Sequence, residues 1–181
     1  KKNLNKLKKN LIDGYNLSCI GDERNHSCIF SKYKNSQSDK SLVSSYKKLK
    51  IKFKTYSFLE RGSDERQYNS PGIDLPITGV FRSKFHTYPE YHTSLDDFKL
   101  VTPKGILGGF KVVKTAIEIL QKKIIPICKN LGEPQMSKKN LYPTLSFKSN
   151  KKLPENLMNF LQYADGKNDL NDIKKIIKLN D

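Results

Sequence analysis

His92 is the residue whose type and setting most clearly allow chemistry. It follows Tyr91 and precedes residues 93–97, a run of hydroxyl and carboxylate side chains in a loop between an expected strand and an expected helix. An imidazole in such a loop can bind a metal ion through one ring nitrogen while a carboxylate or hydroxyl holds the other nitrogen. His26 and His86 have no comparable neighbours, and we interpret them as surface or loop residues.

A second group of ionisable residues lies closer to the N-terminus. Asp64, Glu65 and Arg66 follow one another, and Tyr68 comes two positions later. Arg66 and Tyr68 could contact a carboxylate or a carbonyl group of a substrate, because arginine presents a planar fork of donors and tyrosine a hydroxyl. An ion pair of Arg66 with Glu65 or Glu60 is an equally good interpretation.

Asp22 is the third candidate. It belongs to the charged loop Gly21-Asp22-Glu23-Arg24, which follows a strand predicted over residues 15–20. Loops at the ends of buried strands are typical positions for functional side chains. A solvated turn remains the alternative.

A sheet with flanking helices must bring these residues together. Apolar periodicity and turn residues predict strands near 15–20, 28–33, 51–59 and 73–81, and helices over 36–50 and 102–123. Ser38 or Asp39 is expected to cap the first of these helices. The sequence therefore predicts an α/β fold with a mixed sheet flanked by helices.

The helix that begins at Thr102-Pro103 should pack on the sheet. A hydroxyl cap followed by proline is a favourable helix start. Its apolar residues form one stripe, which we expect to face the sheet: Ile106, Leu107, Phe110, Val113, Ile117 and Leu120. Gly105, Gly108 and Gly109 weaken its first turns and allow close approach to a neighbour.

Composition points to a protein without a membrane span. The 181 residues suffice for one domain with a core and a small appendage. No apolar run approaches the length of a spanning helix, and the N-terminus lacks the apolar region of a signal peptide, so we expect a cytoplasmic protein. Cys19, Cys28 and Cys128 are odd in number without close spacing, and we interpret them as buried free thiols.

The net charge of +16 raises the question of nucleic-acid binding. Only four of the 34 basic residues are arginine, and the lysines are scattered rather than gathered into one block. We therefore do not predict nucleic acid as the main partner. Because arginine is rare in this chain, each arginine is expected to have a positional role: Arg24, Arg61, Arg66 and Arg82.

Turn residues divide the chain near residue 130. We predict an α/β domain over residues 1–130, a polar linker over 131–153 and a helical segment over 154–181. Pro154-Glu155 begins one helix of that segment, and Asn168 or Asp169 caps the next. Two short helices joined by a tight turn are the opening of a winged-helix-like unit, which we expect to be truncated at Asp181.

Three motifs carry a resemblance to a known superfamily. Ser63-Asp64-Glu65, Pro71-Gly72-Ile73 and His92-Thr93-x-x-Asp96 resemble the motif succession of zinc aminopeptidases of the leucyl aminopeptidase and glutaminyl cyclase type. The match is closer to aminopeptidase-like proteins associated with polysaccharide-biosynthesis genes. Four runs carry it: GSDERQY-SPG-DLPI, YPEYHTSLDD, EPQ…LYPTLS and NFLQYADG. The resemblance implies a zinc-peptidase core followed by a winged-helix domain.

The resemblance also implies roles for individual residues. His92 matches the last metal-binding histidine of the superfamily, and Asp64 matches an aspartate near the metal that orients substrate or relays protons. Glu65 replaces the usual histidine, which implies a different substrate-facing chemistry. Asp22 is the candidate for a second zinc ligand, and Tyr91 either donates to an oxyanion or packs beside the metal. The other zinc ligands are expected to precede Lys1.

The sequence thus predicts the C-terminal part of a zinc-dependent aminopeptidase-like hydrolase, with a peptide-like or amino-sugar substrate and a possible homo-oligomeric state. These 181 residues on their own should be inactive, because a catalytic zinc normally needs three protein ligands and this chain offers only His92 and Asp22 as candidates. Two alternatives remain. One is a non-catalytic relative that binds a sugar or amino-sugar intermediate, and the other is a basic nucleic-acid-binding protein.

Overall fold

The computed structural model describes residues 3–139 and 152–179. The chain forms two compact units, Lys1–Gln121 and Lys122–Asp181. Residues 140–151, which make up much of the linker predicted over 131–153, lie outside the described residues.

The first unit is built on a four-stranded mixed sheet, as the sequence predicts. Its strands are β1 (Gly14–Leu17), β2 (Ser27–Ile29), β3 (Lys54–Tyr56) and β4 (Ile77–Phe81), in the order β1-β4-β2-β3. β1 runs parallel to β4, β2 runs parallel to β3, and β2 is antiparallel to β4. The carboxyl ends of β1 and β4 therefore meet the amino end of β2 at one edge of the sheet.

Six α-helices lie in the described parts of the chain. They are α1 (Leu4–Asn10), α2 (Gln37–Lys48), α3 (Glu65–Tyr68), α4 (Pro103–Gln121), α5 (Leu153–Tyr163) and α6 (Leu170–Ile176). Short 3₁₀ turns occur at Phe58–Glu60 and Met136–Lys139. No helix among the described residues is long and apolar enough to cross a membrane.

The main core lies between the sheet, α2 and α4. Its buried residues are Cys28, Phe30, Leu42, Tyr46, Val80, Val112 and Ala116. Tyr46 stacks on Phe53 at a ring-centroid distance of 4.3 Å, and its hydroxyl donates to the carbonyl of Ser27 at 3.1 Å. A second cluster, Ile29, Phe81 and Phe85, is buried with partly covered Tyr56 and Tyr91 beside it.

The packing face predicted for α4 is wrong for most of its residues, although Val113 of the predicted stripe does pack against the core. Four residues of the predicted stripe are between 42% and 56% exposed: Ile106, Leu107, Phe110 and Ile117. The buried residues of α4 are smaller, namely Gly105, Gly109, Val112 and Ala116. Hydrophobicity alone selected the wrong face, because the helix packs through the residues that allow the closest approach.

The glycines of α4 do allow the close approach that the sequence predicts. A Cβ at Gly105 would overlap the carbonyl oxygen of Gly21, and a Cβ at Gly109 would lie 2.5 Å from a side-chain carbon of Ile20. Any larger residue would push the start of α4 away from the loop after β1. The Thr102 hydroxyl accepts from the amide of Gly105 at 3.0 Å, which confirms the predicted helix start.

The cap of α2 differs from the prediction. Ser36, and neither Ser38 nor Asp39, is the N-cap residue, and its hydroxyl accepts from the amide of Asp39 at 3.0 Å. The Asp39 carboxylate accepts in return from the amide of Ser36 at 3.2 Å. Asp39 is therefore the N3 partner of a capping box rather than the cap itself.

The second unit contains α5 and α6. Asp169 caps α6 by accepting from the amides of Asn171 and Asp172, in agreement with one of the two predicted caps. An extended segment runs beside the loop before α6, since the amide of Cys128 donates to the carbonyl of Ala164 at 2.6 Å. Lys123 forms an ion pair with Asp169 at 2.9 Å within this unit.

Candidate functional site

The carboxyl ends of β1 and β4 carry two loops, residues 18–24 and 82–101, which we call the edge loops. Asp22 joins them and is only 4% exposed. Its carboxylate accepts from the amide and the hydroxyl of Ser83, at 2.7 and 2.8 Å, and from the amide of Arg24 at 2.8 Å. These bonds replace water around a buried charge, so Asp22 fixes the relative position of the two loops.

A bidentate ion pair joins the same loops nearer the surface. The guanidinium of Arg24 donates to both carboxylate oxygens of Glu90, at 2.9 and 2.6 Å. The hydrogen bonds from Arg24 lower the pKa of Glu90 to about 2. Glu90 therefore stays ionised across the ordinary pH range, and the residues next to it are held by this pair.

A cavity of about 260 Å³ lies between the edge loops and the start of α4. Cys19, Asp22, Tyr88 and Asp96 line it together with apolar residues. Burial raises the pKa of Tyr88, with Cys19 and Asp96 acting in the same direction. The phenol is therefore a neutral donor, and the cavity combines a thiol, two carboxylates and a hydroxyl.

His92 lies in the second edge loop but does not line this cavity. Its side chain is exposed and stacks on Tyr91, with ring centroids 4.0 Å apart and planes 20° apart. The backbone of His92 is in the left-handed region, with φ of 58°, a conformation that non-glycine residues adopt at some cost. Tyr91 in turn contacts Phe85, His86 and Tyr88, so an aromatic cluster positions the imidazole.

The described residues do not fit a complete zinc site. Among them, no group of three or more histidine, cysteine, aspartate or glutamate side chains is close enough to hold a metal ion. The carboxylate of Asp22 already accepts three hydrogen bonds, two of them at Oδ1 and one at Oδ2. Because a catalytic zinc normally has three protein ligands, further ligands must come from outside these residues if the protein binds zinc.

Asp64 and Glu65 are adjacent but lie in different surroundings. Asp64 is exposed at the start of α3, and its side chain does not cap that helix. Glu65 is fully buried, and its carboxylate accepts from the amides of Gly62 and Ser63 and from the side chain of Asn16. In this arrangement Glu65 holds the loop before α3 against β1. Substrate contact by Glu65 stays a prediction.

Arg66 and Tyr68 are both exposed. Arg66 lines a separate cavity of about 630 Å³ beside the ends of β2 and β3, which shares no lining residue with the cavity at Asp22. Sequence reasoning grouped Arg66 with Tyr91 and His92, whereas the structure places Arg66 in this separate cavity. The reason is that the chain between them crosses the sheet along β4.

Arg82 and His26 form a partly buried contact that the motifs did not reveal. Arg82 is 7% exposed, and its Nη1 contacts the Nε2 of His26. Burial, with the positive charge of Arg82, lowers the pKa of His26 to about 4, so the imidazole is neutral and accepts from the guanidinium. The sequence signal for this contact is the scarcity of arginine, which predicts a positional role for each one. Arg24 and Arg82 both have such a role, since Arg24 pairs with Glu90 and Arg82 contacts His26.

The cysteines are free, as the sequence predicts, but only Cys28 is buried. Burial raises the pKa of the Cys28 thiol to about 12, so this thiol stays protonated. Cys19 and Cys128 are only partly covered, so the interpretation of all three as buried thiols is wrong. Cys19 is exposed in part because it lines the cavity at Asp22.

The α/β fold of this chain is peptidase-like, as a comparison with solved structures shows. A crystal structure of a protein from Clostridium acetobutylicum described as a peptidase superposes with a TM-score of 0.68 and 26% identity, covering 97% of this chain and 38% of that one. A zinc aminopeptidase from Bacillus subtilis superposes with a TM-score of 0.50 and 13% identity, over 60% of this chain and 28% of that one. The second likeness concerns the fold alone.

The chain belongs to the family described as Domain of unknown function (DUF4910), which it matches over residues 1–123. Residues 123–181 match a winged helix-turn-helix family. A Clostridium acetobutylicum protein named as a polysaccharide biosynthesis protein with aminopeptidase-like domain is 30% identical over 171 residues. The match covers 91% of this chain and 38% of that relative, so the chain spans little more than a third of the relative's length. These findings confirm the resemblance inferred from the motifs.

Proposed function

We propose that this chain forms part of a metal-dependent, aminopeptidase-like hydrolase that cleaves an amide bond in a peptide-like or amino-sugar substrate. The observation that carries the proposal is the pair of edge loops at the carboxyl ends of β1 and β4, in a fold shared with peptidase-like structures. The name of the Clostridium acetobutylicum relative supports a setting in polysaccharide biosynthesis. The proposal places the protein in the cytoplasm.

His92 is the proposed zinc ligand from this chain, with Asp22 as a second candidate. Asp64 is proposed as the catalytic carboxylate, because it is exposed and has no role in capping α3. Tyr91 holds the imidazole of His92 by stacking and offers a hydroxyl to the substrate. Arg24 and Glu90 keep this loop in place through their bidentate pair.

The test compares two variants of the second edge loop in the full-length protein. We expect His92→Ala to lower bound zinc, measured by atomic emission after dialysis, and to lower hydrolysis of aminoacyl p-nitroanilides and N-acyl amino sugars by at least 100-fold. Phe98→Ala is the matched control, since Phe98 also lies in the second edge loop, is 93% exposed and lines neither cavity of the edge loops. Equal zinc content and activity in the two variants would overturn the role of His92.

Residues 1–181 on their own should bind zinc weakly and hydrolyse no peptide substrate. The physical reason is that the described residues contain no three-ligand group, and fewer ligands give low affinity. Zinc titration with a competing chelator and an aminoacyl p-nitroanilide assay measure both properties. Hydrolysis by this chain alone that disappears in His92→Ala would contradict the prediction.

A further inference from the structure

A cleft of about 630 Å³ opens beside the carboxyl ends of β2 and β3. Its walls are residues 30–34, which follow β2, and residues 55–59, which comprise the end of β3 and the turn after it. Arg61, Arg66 and residues 69–71 complete it. The cleft shares no lining residue with the cavity at Asp22 or with the cavity at Glu23 and Glu90, so it is separate from the edge loops.

The charge of this cleft is entirely positive. Lys32, Lys34, Arg61 and Arg66 line it, and no aspartate or glutamate is among its lining residues. Lys32 forms an ion pair with Asp74, which lies outside the lining, at 3.2 Å. Within the described part of the chain, no ion pair joins the other three cations to a carboxylate. The cleft therefore attracts anions and has donors left to bind them.

Aromatic rings stand beside these cations. The Lys34 ammonium lies 4.9 Å from the ring centre of Phe30, and the Arg61 guanidinium lies 5.0 Å from that of Phe58. Tyr33 also lines the cleft, and it is 72% exposed rather than part of the core. An exposed ring such as that of Tyr33 can stack against a base or against the apolar face of a sugar.

We propose that this cleft binds a phosphorylated ring compound, either a nucleotide or a sugar phosphate. The guanidinium groups of Arg61 and Arg66 match the geometry of phosphate oxygens, and the exposed ring of Tyr33 holds the base or sugar. The volume lies within the range of small-molecule sites. The proposal does not rest on hydrolase activity, because it uses different residues and a different region of the first unit.

Isothermal titration of the full chain with UDP, glucose 1-phosphate and inorganic phosphate tests the proposal at 0.15 M salt. We expect UDP or glucose 1-phosphate to bind at least tenfold more tightly than inorganic phosphate. The compound that binds more tightly shows whether the cleft prefers a nucleotide or a sugar phosphate. Arg66→Ala and Lys34→Ala should each weaken that binding at least tenfold. Tyr33→Ala should weaken it while leaving the binding of inorganic phosphate unchanged.

Lys47→Ala is the matched control, because Lys47 is exposed on α2 and does not line the cleft. Its affinity for each probe should equal that of the unaltered protein. An equal loss in Lys47→Ala and Arg66→Ala would overturn the proposal, since it would show only general attraction to a basic protein. Equal binding of all three probes, or no binding of either ring compound, would also overturn it. Thermal melting of each variant verifies that it is folded.

Discussion

At the scale of single residues, buried carboxylates hold the loops of the first unit. Asp22, Asp39 and Glu65 are at most 4% exposed. Asp39 accepts from the amide and hydroxyl of Ser31, from the amide of Ser36 and from the hydroxyl of Thr78. A buried charge is tolerated only when such donors surround it, so each of these residues selects one loop conformation.

Glu65→Ala should destabilise the first unit by about 2–3 kcal/mol, because two backbone amides and Asn16 would lose a buried acceptor. Glu65→Gln should cost about 1 kcal/mol. Its amide oxygen can still accept from the two amides, and Asn16 can rotate to offer its own oxygen to the new NH₂ group. Urea unfolding monitored by circular dichroism measures both values. Equal losses in the two variants would contradict this account.

His26 should make stability depend on pH below neutrality. Its folded pKa of about 4 is lower than its ordinary value of 6.5, mainly because of burial. Between these two values the unfolded chain binds more protons, so stability is highest above pH 6.5 and falls as the pH decreases towards 4. A shift of this size corresponds to about 3 kcal/mol, which screening at a half-buried site reduces to about 1–2 kcal/mol.

His26→Gln provides the comparison, since glutamine offers Arg82 an acceptor oxygen without titrating. Melting temperatures of both proteins between pH 4 and pH 8 measure the effect. We expect the unaltered protein to lose stability relative to the variant as the pH falls from 6.5 to 4. A constant difference across this range would show that His26 keeps its ordinary pKa in the folded state.

At the scale of elements, the contact between α4 and the loop after β1 positions the candidate site. Gly105 lies against the carbonyl of Gly21, the amide of Thr102 donates to the same carbonyl at 3.0 Å, and the Thr102 hydroxyl donates to Glu23 at 2.7 Å. Asp22 lies in the middle of this loop. Displacement of the helix start would therefore move the carboxylate that joins the two edge loops.

Gly105→Ala should destabilise the protein by about 1–3 kcal/mol through overpacking, although alanine favours the helix by about 1 kcal/mol. Lys111→Ala is the control, because Lys111 is exposed on the same helix, and its change should stay within about 0.5 kcal/mol. Chemical denaturation measures both. A stabilised Gly105→Ala protein would mean that helix propensity outweighs the contact with Gly21.

The four strands and the helices α2 and α4 were predictable from local patterns, but α3 and the packing of α4 were not. The apolar segment over residues 73–81 located β4, and Thr102-Pro103 located the start of α4. Its buried face could not be predicted from apolar residues, because Gly105 and Gly109 pack more closely than Ile106 and Phe110. The motif around His92 likewise located the second edge loop. The hydrogen bonds between Asp22 and Ser83 could not be predicted, because the two residues are distant in the sequence.

At the scale of the whole molecule, the two units and the net charge set the general properties. The first unit matches the DUF4910 family and the second a winged helix-turn-helix family. The charge of +16 comes mostly from lysine, which attracts phosphate without the bidentate geometry of arginine. Winged helices also serve in protein interactions, so this fold does not establish DNA binding.

Any affinity for DNA should therefore be nonspecific. We expect binding to an arbitrary 20-base-pair duplex to fall by at least 100-fold between 50 and 200 mM salt, because it rests on phosphate charge and counterion release. Sequence-shuffled duplexes should bind equally. Fluorescence anisotropy measures both properties, and a salt-resistant preference for one sequence would instead favour a nucleic-acid-binding role.

The parallel pairing of β1 with β4 also affects how the chain forms during synthesis. Gly14 pairs with Ile77, and in the described sheet β4 is the neighbour of β1. At about 5–20 residues per second, roughly 3–13 s pass between the synthesis of these two strands. β2 and β3 can pair around α2 during this interval, and a ribosome that stalls before Ile77 leaves both β1 and β2 with an open hydrogen-bonding edge.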